Sequence, residues 1–192
     1  MKRRNFIIST LGSTVVASIP FAITRLLAPE VHAGDGAYLL PPGALSDLGE
    51  FNSACIGCGL CGEVCPPKCI QFHKRDAGSA AQTPYINPEQ RGCILCGKCM
   101  TVCPTKALSV TKPSEVSMGV AKIDRSACYP WTDKGVCGAC VSVCPIGSKA
   151  IDYKLWKQYR PVVKEGCVGC GMCVEVCPQP SLPIGIVERS KM

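Results

Sequence analysis

Cys93-Ile94-Leu95-Cys96-Gly97-Lys98-Cys99-Met100-Thr101-Val102-Cys103-Pro104 is the stretch that decides how this chain folds. Three cysteines at intervals of three, a fourth four residues further on and a proline directly after it make the pattern CxxCxxCxxxCP. Three thiols so spaced wrap a tight loop around one iron–sulfide cubane. The fourth, turned away where the proline fixes the backbone, reaches a neighbouring cubane.

The pattern recurs. Cys55, Cys58, Cys61 and Cys65 precede Pro66, and Cys167, Cys170, Cys173 and Cys177 precede Pro178. A stretched version starts at Cys128, runs through Tyr129-Pro130-Trp131-Thr132-Asp133-Lys134-Gly135-Val136, and continues with Cys137, Cys140, Cys144 and Pro145. The repeats lie roughly 35 to 40 residues apart, the length of one half of a two-cluster module. Sixteen of the 17 cysteines are thereby read as ligands of four 4Fe-4S clusters. Cys128 is the ligand that the inserted loop leaves least determined; without it the third site would hold three irons or recruit water. Which motifs exchange their fourth ligands stays open: first with second and third with fourth has the shorter loops, while first with fourth and second with third is the alternative.

Two other uses of cysteine compete. A disulfide-rich secreted domain would show irregular spacings rather than four near-identical loops. Zinc needs two separated pairs per ion and has no use for three cysteines plus a fourth before proline. The seventeenth cysteine, Cys69, aligns with Ala107 of the next repeat and is expected to pack as a small apolar residue, a reactive thiol or substitute ligand being the alternatives. Gly57, Gly59, Gly97, Gly138, Gly169 and Gly171 sit beside ligands, where backbone amides must approach sulfur closely and φ is expected to turn positive.

The net charge of +7 does not imply nucleic acid. Four basic residues and one acid precede Gly34, which leaves 17 cationic against 13 anionic side chains, or +4, for the rest. Each oxidised cubane with four thiolates carries a net charge of about −2, so the loaded protein is expected to be acidic. No nucleic-acid partner is expected. Aromatic residues are only 6% of the chain, too few for a large aromatic core, and loss of the clusters should unfold most of it.

Residues 1–33 read as a leader: Lys2-Arg3-Arg4, an apolar run from Phe6 to Ile23, and a small-residue end at Val31-His32-Ala33. Arg3-Arg4-Asn5-Phe6-Ile7 resembles the twin-arginine export signal, although Lys2 and Ile8 depart from its fuller form. That route moves folded proteins, which suits clusters assembled before export. The expectation is export to the periplasm with cleavage after Ala33; the alternative is an uncleaved, membrane-associated anchor. Residues 34–53 are expected to be an exposed lead-in.

The expected fold class is α+β, two bacterial-ferredoxin-like modules in tandem, over 54–112 (first and second motifs) and 113–192 (third and fourth), with Lys112-Pro113-Ser114 to Gly119 as the connector. The spacing predicts short hairpins from Tyr85-Ile86-Asn87, Leu108 to Thr111, Val120 to Asp124, Ala150 to Tyr153, Pro161 to Lys164 and Ile184 to Val187. Single helical turns over 97–102 and 171–176 are expected to carry the second and third ligands.

The leader, the four motifs, Ile123-Asp124 ahead of Cys128, Tyr129-Pro130-Trp131 and Cys137-Gly138-Ala139-Cys140 together resemble the NapG/MauM family of ferredoxin-type proteins. The resemblance covers nearly the whole chain. It implies a periplasmic four-cluster carrier working with a membrane ferredoxin-type, quinol-oxidising protein of the NapH/MauN type and a periplasmic redox enzyme. That enzyme is a nitrate reductase in the NapG branch, and the MauM branch belongs to methylamine use. Nothing in the sequence selects the branch. The expected role is one-electron transfer without a substrate site, since His32 and His73 are the only histidines. His73 is expected to be exposed. A fixed subunit of a larger oxidoreductase, or a maturation factor for a partner enzyme, are the alternatives.

Overall fold

The computed structural model describes residues 38–156 and 158–188. The expected leader and its cleavage point lie outside them.

The first element is α1 (Leu48–Ala54), started by Asp47, whose carboxylate accepts the amide of Glu50 at 2.8 Å. This is ordinary N-capping. The helix seats Phe51, which is wholly buried together with Pro41 and Pro42. The exposed lead-in expected over 34–53 is therefore corrected at Leu39, Pro41, Pro42 and Phe51, while residues 46–50 are exposed; Leu39 bridges Ile86, and Ala44 bridges Leu108. A segment without periodicity can still be covered when prolines and one aromatic find an apolar seat.

Each cysteine loop runs into one helical turn: α2 (Leu60–Glu63), α3 (Lys98–Thr101), α4 (Ala139–Ser142) and α5 (Met172–Glu175). The turns stop there because the residue before a proline is driven out of the helical region, and that residue is each time the fourth cysteine. Only the third cysteine of each motif, Cys61, Cys99, Cys140 or Cys173, sits on its turn. The expectation that the second ligand sits there too is corrected, because a glycine at the cap separates the second cysteine from the helix.

Among the described residues there are six short strands, with β1 (Ile70–Phe72) pairing antiparallel to β2 (Pro84–Ile86), Ile70 opposite Ile86. After β3 (Val120–Ile123), the strands β4 (Ile151–Trp156) and β5 (Gln158–Val163) form a hairpin with Ile151 opposite Val163. The last, β6 (Ile184–Val187), pairs with β3, Val120 opposite Val187. That pair is not a local hairpin; it ties the start of the second half to its end. The strand expected over Leu108 to Thr111 is replaced by the single bridge to Ala44, with the Ser109 amide donating to the Gly43 carbonyl at 2.7 Å. Val110 is exposed and Pro113 follows, so no partner strand can extend the pair.

Eight of the 25 buried apolar residues are cysteines, and Phe51 is the one aromatic among those 25. The apolar core is thus thin, and much of it faces the cysteine loops. Residues 112–119 contain no helix or strand, yet the halves touch directly. The Cys93 amide donates to the Cys170 carbonyl at 2.8 Å, and the Gly92 amide donates to Glu175 Oε2 at 2.7 Å. Among the described residues no helix is long and apolar enough to cross a membrane.

Candidate iron–sulfur site

The fold gathers the sixteen cysteines into four groups of four. Cys55, Cys58, Cys61 and Cys103 line one cavity; Cys128, Cys137, Cys140 and Cys177 line another; Cys144, Cys167, Cys170 and Cys173 line a third. The remaining four are Cys65, Cys93, Cys96 and Cys99, and Cys99 lies near the other three as well as near Cys61 of the first group. The question of pairing is resolved geometrically. Cys103 crosses to the first motif and Cys65 to the second, while Cys177 crosses to the third and Cys144 to the fourth. Cys128 stands with its group despite the insertion, feeling Cys137 and Cys177.

The groups also neighbour one another in a definite order. Cys99 of the second group senses Cys61 of the first. Cys170 of the fourth senses Cys93 of the second, and Cys173 of the fourth senses Cys140 of the third. The sequence of groups is therefore first, second, fourth, third, with the junction between halves at Cys93 and Cys170.

Whether iron–sulfide cubanes fit can be judged from the donor sets. Among the described residues no three His, Cys, Asp or Glu side chains converge on a single-ion position. Zinc thiolates would stand roughly 3.8 Å apart, given a metal–sulfur bond of about 2.3 Å. Cysteines spread around a cavity instead suit a cluster several ångströms across. The sulfurs are also met by backbone amides, Leu95 N on Cys93 Sγ at 3.4 Å and Ala121 N on Cys167 Sγ at 3.3 Å. Such bonds stabilise a charged sulfur and tune cluster potentials.

The electrostatics agree. Burial pushes Cys61 and Cys140 up to about 11, and Cys99 and Cys170 up to about 12. Crowded, desolvated thiols keep their protons unless a cation gathers them as thiolates, which iron does. Cys103 is the contrast: although burial opposes it, hydrogen bonds from the Leu108 amide and the Thr105 hydroxyl and amide hold its thiol below the ordinary range.

Backbone conformation at the loops follows the expectation with one exception. Gly57, Gly59, Gly97, Gly169 and Gly171 have positive φ, but Gly138 has φ −136°. Leu95 takes the left-handed role at φ 57° where the first and fourth motifs have glycine. A left-handed non-glycine residue costs on the order of 1 kcal/mol.

The stretched loop is pinned by contacts that spacing does not disclose. Trp131 Nε1 donates to the Pro161 carbonyl at 3.0 Å, and the Arg125 guanidinium lies 4.2 Å from the centre of its ring. Arg160 Nε donates to the Pro130 carbonyl at 3.1 Å while its Nη2 bridges both carboxylate oxygens of Asp133. Glu175 was also missed: the equivalent Glu63 of the first motif is 84% exposed and only pairs with Lys68, so motif position gives no warning of its role at the junction. His73 is corrected from exposed to half-buried. It packs on Tyr85 and Tyr38 with ring centres 4.4 and 6.0 Å away, and burial lowers its basicity.

Comparison with known proteins matches this geometry. A 4Fe-4S dicluster domain model matches residues 54–107 and again 92–148, and a second 4Fe-4S dicluster domain model matches 134–182. The methylamine utilization ferredoxin-type protein MauM of Methylophilus methylotrophus is 34% identical over 132 residues, which is 66% of this chain and 57% of that protein. MauM of Methylobacillus flagellatus is 34% identical over 150 residues, 75% of this chain and 62% of that protein. The ferredoxin-type protein NapG of Haemophilus influenzae is 33% identical over 125 residues, 62% of this chain and 44% of its own length. The chain thus spans less than two thirds of the curated relatives it matches. Built on tandem 4Fe-4S dicluster domains with small helices and strands, the chain belongs to the NapG/MauM family of ferredoxin-type proteins.

Proposed function

We propose that the chain is a periplasmic electron carrier holding four 4Fe-4S clusters, organised as two α+β modules over 54–112 and 113–192 behind a twin-arginine leader over 1–33. The observation that carries this reading is the unbroken succession of four-cysteine groups, first, second, fourth and third. A 4Fe-4S cluster, when bound, accepts and returns one electron. The chain's own residues hold each sulfur in place, exclude water with apolar walls such as Ile151, Val168 and Ile186, and aim amides at the sulfurs. No substrate site is assigned, and the role is that of a relay rather than a catalyst.

The two ends of the succession are the first and third groups. In this reading one faces a membrane ferredoxin-type, quinol-oxidising partner of the NapH/MauN kind, and the other a periplasmic redox enzyme. MauM relatives are named for methylamine utilisation, so a methylamine-linked enzyme is one acceptor class and a nitrate reductase, by way of NapG, the other.

Anaerobic purification with iron and sulfide analysis and EPR of the reduced protein tests the proposal. Four cubanes require about sixteen iron atoms per chain, reversibly reduced by a low-potential donor. About eight would leave half of the groups without a role. Copurification with a large partner would point instead to a fixed subunit, and iron that cannot be reduced and reoxidised would point to a maturation factor.

A further inference from the structure

Cys69 is left over when the sixteen cysteines have been grouped. Its counterpart in the next repeat is Ala107, and each is 1% exposed. The two sites are equally closed, but only one contains a proton donor. Cys69 Sγ lies 3.5 Å from Cys65 Sγ, within hydrogen-bonding distance. Cys65 closes the first motif yet belongs to the second group.

Chemistry assigns the direction of this bond. A cysteine that has given its proton up to bind iron keeps only lone pairs and can only accept. Cys65 and Cys93 are two of the four sulfurs of the second group; with Cys96 and Cys99 the set is already full. Cys69 is then surplus as a ligand and remains the one protonated thiol of the cluster's surroundings. The equivalent service in the first group is supplied differently, by the Thr105 hydroxyl 3.7 Å from Cys103 Sγ together with backbone amides.

We propose that Cys69 is a positioning and potential-setting residue: its single S–H proton, directed at Cys65, raises the reduction potential of the cluster that Cys65 helps to hold. A donor on a ligand sulfur favours whichever state carries more negative charge, and that is the reduced one. The affected group is the one at the junction, where Cys93 meets Cys170, so the residue sets how readily an electron rests at the crossing between the halves. This inference rests on the four-cluster reading above.

Cys69→Ala, Cys69→Val and Cys69→Ser variants of the full chain, purified without oxygen, test it by iron count and by EPR-monitored redox titration. The alanine and valine variants should keep the wild-type iron content while one midpoint falls. The expected size is about a tenfold loss in that reduction equilibrium, about 59 mV for one electron. Serine, which keeps a donor, should restore part of the shift. The valine variant fills the thiol's space without a proton and serves if alanine leaves a destabilising hole. Unchanged midpoints in both would make Cys69 a mere filler, and loss of about four irons would make it a ligand; either result overturns the proposal. A wild-type protein without four clusters would instead defeat the underlying reading, which the iron count reveals before any variant is compared.

Discussion

Cys137-Gly138 and Cys170-Gly171 read alike in sequence, and each pair leads into a one-turn helix. Their backbones differ. Gly171 has φ +82°, as Gly59 and Gly97 have near the same value, whereas Gly138 has φ −136°. The cause lies in the spacing to the first cysteine. In the fourth motif the first cysteine, Cys167, is only three residues from Cys170, so the chain must reverse within a tight loop. In the third motif the long loop from Tyr129 to Val136 makes the reversal, and the glycine after Cys137 is released from it. What holds the third group in place is then the tether of the loop: Trp131 on the Pro161 carbonyl, and Arg160 on the Pro130 carbonyl and on Asp133. One spacing stores its geometry in the backbone, the other in side-chain contacts.

That contrast can be broken at its anchor. Trp131→Ala removes a half-buried indole, its hydrogen bond and its contact with Arg125, and is expected to destabilise the second half by about 3 kcal/mol. Iron should fall at the third group first while the first and second groups keep theirs, as read by iron per chain and EPR. Trp131→Phe, which loses the hydrogen bond but keeps most of the ring, should cost about 1 kcal/mol.

A second pair of substitutions sharpens the backbone side of the comparison. Gly171→Ala imposes a left-handed alanine and places its Cβ 2.6 Å from Pro88 Cβ, for a loss of about 2 kcal/mol. Gly138→Ala meets no left-handed penalty; its new methyl collides only with the Tyr153 hydroxyl. Adding Tyr153→Phe should therefore recover much of the stability lost in Gly138→Ala, measured by denaturant unfolding of the iron-loaded protein. No such partner substitution should rescue Gly171→Ala, because its strain is in the backbone.

The smallest effect belongs to the hairpin of β4 and β5 beside the third group. The Lys164 ammonium, 2.7 Å away, and then the Tyr153 amide hold the Asp152 carboxyl below the ordinary range. A depressed carboxyl contributes stability above its unfolded pKa, about 3.9, and the contribution is lost as pH falls through the lower folded value. Asp152→Asn should leave iron content unchanged and lower the denaturant midpoint slightly at pH 7. The difference from wild type should shrink as pH falls below about 4 and at high salt, as for any exposed pair.

Legibility was uneven for physical reasons. The four loops and the one-turn helices at 98–101 and 172–175 were readable because short-range spacing and the following proline leave the backbone few choices. The strands at 120–123 and 184–187 were found from their β-branched residues, but their partnership was not, since pairing across sixty residues depends on packing rather than local pattern. Phe51 and the prolines at 41 and 42 looked like surface because their segment is held by partners far along the chain, Ile86 for Leu39 and Leu108 for Ala44.

Taken alone, the sequence determined the chemistry: cysteines at such spacing, closed by proline, can gather around a cubane and around little else. Only the tertiary structure decided which cysteines share a group, the order in which the groups touch, and the place of Cys69 against Cys65. The physical reason is that ligand spacing is a constraint on a few consecutive torsions, whereas pairing, adjacency and hydrogen-bond partnership are set when distant segments compete for the same buried space.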